Sequence, residues 1–161
     1  MMGAGKSTVG REVARLAGRP FFDTDQLLSY RLGRPIPQLF SIYGEAAFRY
    51  HETAILRGLE PQPGVLATGG GIVVREANWV EMKRLGTTVF LDVDRAALTG
   101  RLARSKKKRP LLAHENWEER FDQILAARRV LYEQADRRVL IGGESLEEAA
   151  RKVLDSLEDA E

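Results

Sequence analysis

Short runs rich in β-branched and aromatic residues recur along this chain, each followed by a stretch with helical periodicity, and that alternation limits the fold more than any other feature. "STVGREVARLAG" places Val9, Val13, Leu16 and Ala17 on one helical face, with Gly18 as the expected stop. "PFFD" reads as a buried strand ending at Asp23, after which Thr24 can cap a helix to about Leu32, closed by Gly33. "IPQLFSIYG" and "EAAFRYHETAILRGL" give two more helical stretches, and "GVLAT" is a strand running into three glycines. "REANWVEMKRLG" is helical, "TTVFLDV" is the clearest strand, and "RAALTGRLAR" follows it as a helix. The basic stretch "SKKKRPLLAHEN" leads to a long helix "WEERFDQILAARRVLYEQA", a strand "RVLI" and an amphipathic helix from Leu146 to about Leu157. Strands separated by helices of this length predict an α/β fold, a parallel sheet covered on both faces, with ligands bound beyond the carboxyl ends of its strands.

The 161 residues show no repeat, low-complexity tract or long linker, which predicts a single domain over residues 1–161. The absence of cysteine excludes a disulfide framework, a thiolate metal site and a thiol nucleophile. His51 and His114 are the two imidazoles, neither in a ligand pattern, and both are expected at the surface. No apolar run approaches the length of a membrane span and no secretory signal opens the chain, so the sequence predicts a soluble, cytoplasmic protein without a membrane partner. A net charge of +2, from 25 basic and 23 acidic residues, gives no broad field for nucleic acid. Nineteen of the 25 basic residues are nevertheless arginine, the side chain whose planar fork grips carboxylate and phosphate.

The chain opens "MMGAGKST", which matches the later part of the phosphate-loop signature G-x-x-x-x-G-K-[ST]. Gly3 and Gly5 let backbone amides crowd a phosphate, a helix beginning near Lys6 adds its positive end, Lys6 reaches the β and γ phosphates, and Ser7 suits a magnesium ion. In "FFDTD", Asp23 and Asp25 lie two apart; if the stretch is extended, both carboxylates face the pocket, while helix capping is the plainer reading. In "GEAAFRYHE", Glu45 and Glu52 flank Arg49 at helical spacing, where either carboxylate can orient the guanidinium or all three can form a solvated face. Gly69, Gly70 and Gly71 in "TGGG" offer bare backbone for a ligand, or a simple turn. Arg109 stands beside the proline of "KKKRPLL", in what is otherwise an ordinary charged loop, and Arg128 lies four residues before Tyr132, whose ring can pack beside it.

Together "MGAGKSTVGR", "FFDTD", "GRPIPQLFSIYGEAAFR", "LATGGGIV", "RPLL" and "RRVLYEQAD" make the chain resemble the shikimate kinase family over nearly its whole length. The resemblance implies a three-layer P-loop kinase fold whose parallel sheet has the order 2-3-1-4-5, with a helical substrate-binding region and a lid at approximately 104–116. It implies transfer of the γ-phosphate of ATP to the 3-hydroxyl of shikimate, in chorismate and aromatic amino acid biosynthesis, by a monomer. Gly3, Ala4, Gly5, Lys6, Ser7 and Thr8 would cradle the nucleotide phosphates. Ser7 would bind Mg²⁺, and Asp23 would hold it through water. Asp25 would act on the ring hydroxyls as the candidate base. Arg49 and Arg128 would grip the shikimate carboxylate, Gly69 to Gly71 would line the substrate and give it a backbone amide at Gly70, Arg109 would arrive with the lid, and Arg101 would lie along the adenine. Lys6, Asp25 and Arg109 are the catalytic candidates.

The family's first strand and first loop glycine have no counterpart here, which predicts that the described motif set belongs to a longer protein and leaves the third and fourth family strands without a shared neighbour. The loop "IGGES" also lacks an arginine that some members place near adenine. Two other functions fit parts of the pattern: a ligand-sensing domain on the same fold, weakly active or inactive, and a kinase for another small hydroxy acid such as gluconate.

Overall fold

The computed structural model describes residues 3–104 and 116–158. The elements run α1 (Lys6–Leu16), β1 (Phe21–Asp23), α2 (Thr24–Leu32), α3 (Ile36–Arg57), β2 (Val65–Ala67), a 3-10 turn (Ile72–Val74), α4 (Glu76–Leu85), β3 (Val89–Val93), α5 (Arg95–Arg104), α6 (Trp117–Tyr132), β4 (Arg137–Ile141) and α7 (Leu146–Glu158). Each corresponds to a segment expected from periodicity, apart from the 3-10 turn. α3 carries the expected division within it, because Gly44 at φ 74°, ψ 172° leaves helical geometry and separates the two stretches.

β1 pairs with β2 and β3 with β4, both parallel. With β1 to β4 taken as the family's second to fifth strands, these are the outer pairs of the order 2-3-1-4-5. The sheet expected from the alternation is therefore seen as two two-stranded halves, and among the described residues no strand lies between β2 and β3. A cavity of about 220 Å³ occupies the space between the halves, lined by Leu66 beside β3 residues Val89, Phe90 and Leu91 and closed by Trp79 and Met82 of α4. Lys6 lines the same cavity.

Helices cover both halves. α1 buries Val9, Val13 and Ala14 and packs against β1, β2 and α7, approaching so closely at Gly10 that a methyl there would stand 3.1 Å from Phe21. The main core joins Leu56, Ile72, Leu98, Phe121 and Ala150, all at most 1% exposed. Fully burying side chains of the Leu or Phe class contributes about 1.5–3 kcal/mol each. A smaller cluster of Leu28, Leu39, Phe48 and Ile55 fixes α2 to α3. Thus the helical region after β1 has its own apolar anchor beside the site. No helix among the described residues is long and apolar enough to cross a membrane.

Candidate active site

The loop before α1 has Gly3 at φ 75° and Gly5 at φ 82°, left-handed geometry that side chains resist, with Ala4 fully buried between them. α1 then begins at Lys6, so its first amides, which lack intrahelical partners, have the arrangement suited to an anion. Thr8 is exposed on the same turn. From α5, Arg101 reaches the carbonyls of Gly3 and Ala4 at 3.5 Å each, which brings its guanidinium to the loop itself. Ser7 donates its hydroxyl to Asp23 at 2.6 Å, joining the two residues expected to serve a cation.

Asp23 and Asp25 reach the site by different backbone than the extended alternation supposed. Helix α2 begins at Thr24, and the second carboxylate oxygen of Asp23 caps it by accepting the Asp25 amide at 2.9 Å. Asp23 thus caps α2 with one oxygen and accepts the Ser7 hydroxyl with the other, and Thr24 is not the cap. Thr24 is instead fully buried, and its hydroxyl accepts the Gly69 amide at 3.1 Å. That bond ties the glycine turn to the start of α2, a role the sequence did not reveal.

Gly69 and Gly71 leave room for the charged side chains that lie against their backbone. A methyl on Gly69 would stand 2.9 Å from Asp25 and 3.0 Å from Glu52, and one on Gly71 would overlap the Arg49 guanidinium. Downstream, the fully buried Asn78 holds the 3-10 turn through the Ile72 carbonyl at 2.7 Å. Packing of Asn78 and Trp79 onto this segment thus fixes where the bare glycine peptides sit.

Arg49 is 7% exposed and donates to Glu52 at 2.6 Å and Glu45 at 3.1 Å, the pairing expected from spacing, so the solvated-face alternative is excluded. Its Nε is buried with no hydrogen-bond partner among the described residues. Glu52 is 1% exposed; burial raises its carboxyl above the usual range, against the lowering pull of Arg49, with Asp25 and Arg128 also acting on it. Arg128 of α6 is likewise buried, at 8% exposure, and its charge acts on Tyr132 one helical turn later and on Glu52 of α3. Its neighbour Arg129 turns outward to Asp92 of β3 at 3.1 Å, and Arg138 of β4 meets the same carboxylate. These bonds fasten α6 to the second half-sheet while Arg128 faces the first.

The structure thus brings together Lys6, Ser7, Asp23, Asp25, Arg49, Gly69, Gly70, Gly71 and Arg128 near the carboxyl ends of β1 and β2. Arg109, His114 and residues 105–115 of the expected lid lie outside the described residues. His51 is half-buried rather than free on the surface, edge-on to Tyr43 and Tyr50. No group of three or more His, Cys, Asp or Glu suited to a metal occurs among the described residues.

Comparison with known proteins agrees with this geometry. The family described as shikimate kinase matches residues 2–158. A shikimate kinase of Synechococcus sp. (strain CC9902) is 40% identical over 98% of this chain and 82% of that protein. The solved shikimate kinase of Acinetobacter baumannii, in complex with shikimate, superposes with a TM-score of 0.92 at 36% identity, covering 98% of this chain and 89% of the other. That of Aquifex aeolicus gives 0.82 at 38% identity, over 98% and 92%. With the phosphate loop, the glycine turn and the buried arginines in one site, and with likeness of sequence and fold along nearly its full length, the chain belongs to the shikimate kinase family.

Proposed function

We propose that this site phosphorylates shikimate at its 3-hydroxyl with the γ-phosphate of ATP, and that the residues around it divide between nucleotide and acceptor. The observation that carries the assignment is Arg49, a buried guanidinium against the glycine turn whose Nε finds no partner among the described residues. A buried N–H of that kind is costly unless an acceptor meets it. A substrate carboxylate supplies one, and Arg128 adds a second cation from α6.

On the nucleotide side, Gly3 to Gly5 and the first turn of α1 surround the phosphates, Lys6 balances charge on the transferring group, and Arg101 steadies the loop through its carbonyls. Ser7 and Asp23 are hard oxygen donors in contact, the type that Mg²⁺ takes together with phosphate and water. When bound there, the ion supplies neutralisation of phosphate charge. On the acceptor side, Asp25 stands in the first turn of α2 against Gly69. It takes the proton of the attacking hydroxyl as the oxygen–phosphorus bond forms and the bond to the ADP oxygen breaks. Arg109 is proposed to join from the lid. The reading takes the chain as a monomer and calls for neither nucleic acid nor membrane.

A magnesium-containing ADP-release assay tests the proposal. Turnover is expected with shikimate and not with gluconate or a nucleoside monophosphate. Turnover with either of those but not shikimate overturns it, and tight shikimate binding without ADP release supports the ligand-sensing alternative. Asp25→Asn should keep the fold and lower kcat by about 10²-fold or more; unchanged kcat removes Asp25 as the base.

A further inference from the structure

Tyr132 stands at the last residue of α6 with 6% of its surface exposed, and its ring stacks on Phe90 of β3 with centroids 5.3 Å apart and 18° between planes. Packing alone would be served by phenylalanine. The hydroxyl, however, donates to the Gly70 carbonyl at 2.5 Å and lies within reach of the charge of Arg128, one helical turn before it. Gly70 lies between Gly69, fixed by Thr24, and Gly71, covered by Arg49. The phenol therefore stands between two parts of the acceptor site, bonded to the glycine turn after β2 and carried one helical turn beyond the Arg128 guanidinium on α6.

Resting on the reading of Arg128 and Gly70 as acceptor-binding residues, we propose that the Tyr132 hydroxyl is a positioning residue for the acceptor substrate, setting the distance between the Arg128 fork and the Gly69–Gly71 turn. Anchoring the Gly70 carbonyl fixes the plane of the peptide that follows, because a trans peptide carries its N–H opposite its C=O. The buried phenol four residues along α6 also bounds the space open to the Arg128 side chain, so the carboxylate and the ring hydroxyls of the substrate meet groups held in one register. The hydroxyl's hydrogen bond runs to the glycine turn rather than to the phosphate loop. Its loss should consequently be felt by the acceptor and not by the nucleotide.

Tyr132→Phe removes one oxygen and keeps the stacked ring. Kinetics with ATP and shikimate varied separately should show a shikimate KM about tenfold higher, an ATP KM within about twofold, and a melting temperature within a few degrees of the parent. A double-mutant cycle with Arg128→Lys supplies the second reading: on that background, Tyr132→Phe should cost much less, because the fork it positions is already gone. An unchanged shikimate KM, an equal rise in both KM values, or full additivity in the cycle overturns the inference. If the parent chain itself gives no turnover with shikimate, the functional reading fails and this inference falls with it; parent turnover with an insensitive Tyr132→Phe refutes the positioning role alone.

Discussion

Arg49 and Glu52 show how one buried pair ties stability to binding. Glu52 is almost wholly buried and its carboxyl is raised by that burial, with Arg49 as the first opposing influence. Truncating Arg49 therefore does two things: it removes a fork from the acceptor, and it leaves a carboxylate without its cation, a loss on the order of 3–5 kcal/mol. The pH dependence has a definite sign. An acid whose folded pKa lies above its unfolded value favours the folded state below the unfolded pKa, and that contribution is lost as pH rises through the folded pKa. Arg49→Ala should accordingly destabilise the chain more as pH rises above the ordinary glutamate range. Adding Glu52→Gln should flatten that dependence. Thermal melts across pH check this, and a variant whose deficit is the same at pH 4 and pH 8 would contradict it. Arg128→Ala carries less of this complication, since Glu52 keeps its hydrogen-bonded partner Arg49 and loses only the weaker pull of Arg128; calorimetry should show shikimate binding weakened about 10²-fold with nucleotide binding nearly unchanged. Equal weakening of both ligands would remove Arg128 from the carboxylate.

At the scale of the element, the glycine turn after β2 decides what the helices around it can do. Gly71 has an ordinary backbone conformation at φ −96°, so Gly71→Ala strains no dihedral; its methyl meets the Arg49 guanidinium instead. The expected result is a shikimate KM raised by about tenfold or more with a small change in melting temperature, measured beside ATP KM as the unaffected control. An unchanged shikimate KM would show that Arg49 can move aside without functional loss. This turn also marks the boundary of what could be read in the sequence. Helices α1, α4, α6 and α7 follow from periodicity and stop signals, and the pairing of Arg49 with Glu45 and Glu52 follows from spacing on one helix. The onset of α2 at Thr24 was less legible, because FFDTD alternates like a strand while Asp23 in fact caps the helix. The burial of Arg128 was not legible from local pattern, although the family resemblance assigned it to the substrate carboxylate, and the bonds of Thr24 to Gly69 and of Tyr132 to Gly70 were not legible at all. Each depends on partners far apart in the chain, which no local pattern encodes.

For the whole molecule, the decisive feature is the division of the sheet into β1–β2 and β3–β4, with a cavity of about 220 Å³ between them. Among the described residues β2 and β3 each have one strand partner and no pairing with each other, so each has one edge with no described strand beside it. The lining is apolar where Leu66, Val73, Phe90 and Leu91 meet it, and Lys6 stands in the wall where the phosphate loop becomes α1. A parallel strand of about five apolar residues, fused ahead of Met1, would bond to both edges and feed directly into that loop. Burying five such side chains contributes about 10 kcal/mol. Ordering their backbone costs about 1–2 kcal/mol per residue, which offsets a large part and leaves a few kcal/mol. At about 2–4 °C per kcal/mol for a chain of this size, the fusion should raise the melting temperature by roughly 10 °C. It should also tighten ATP binding more than shikimate binding, because the phosphate amides depend on where the loop is held, whereas Arg49, Glu52 and the glycine turn are fixed from α2, α3 and α6. Melts and titrations of the two chains side by side test this. A fusion that changes neither would mean that the edges of β2 and β3 do not accept a strand, and that side chains already close the gap well enough to hold the phosphate loop.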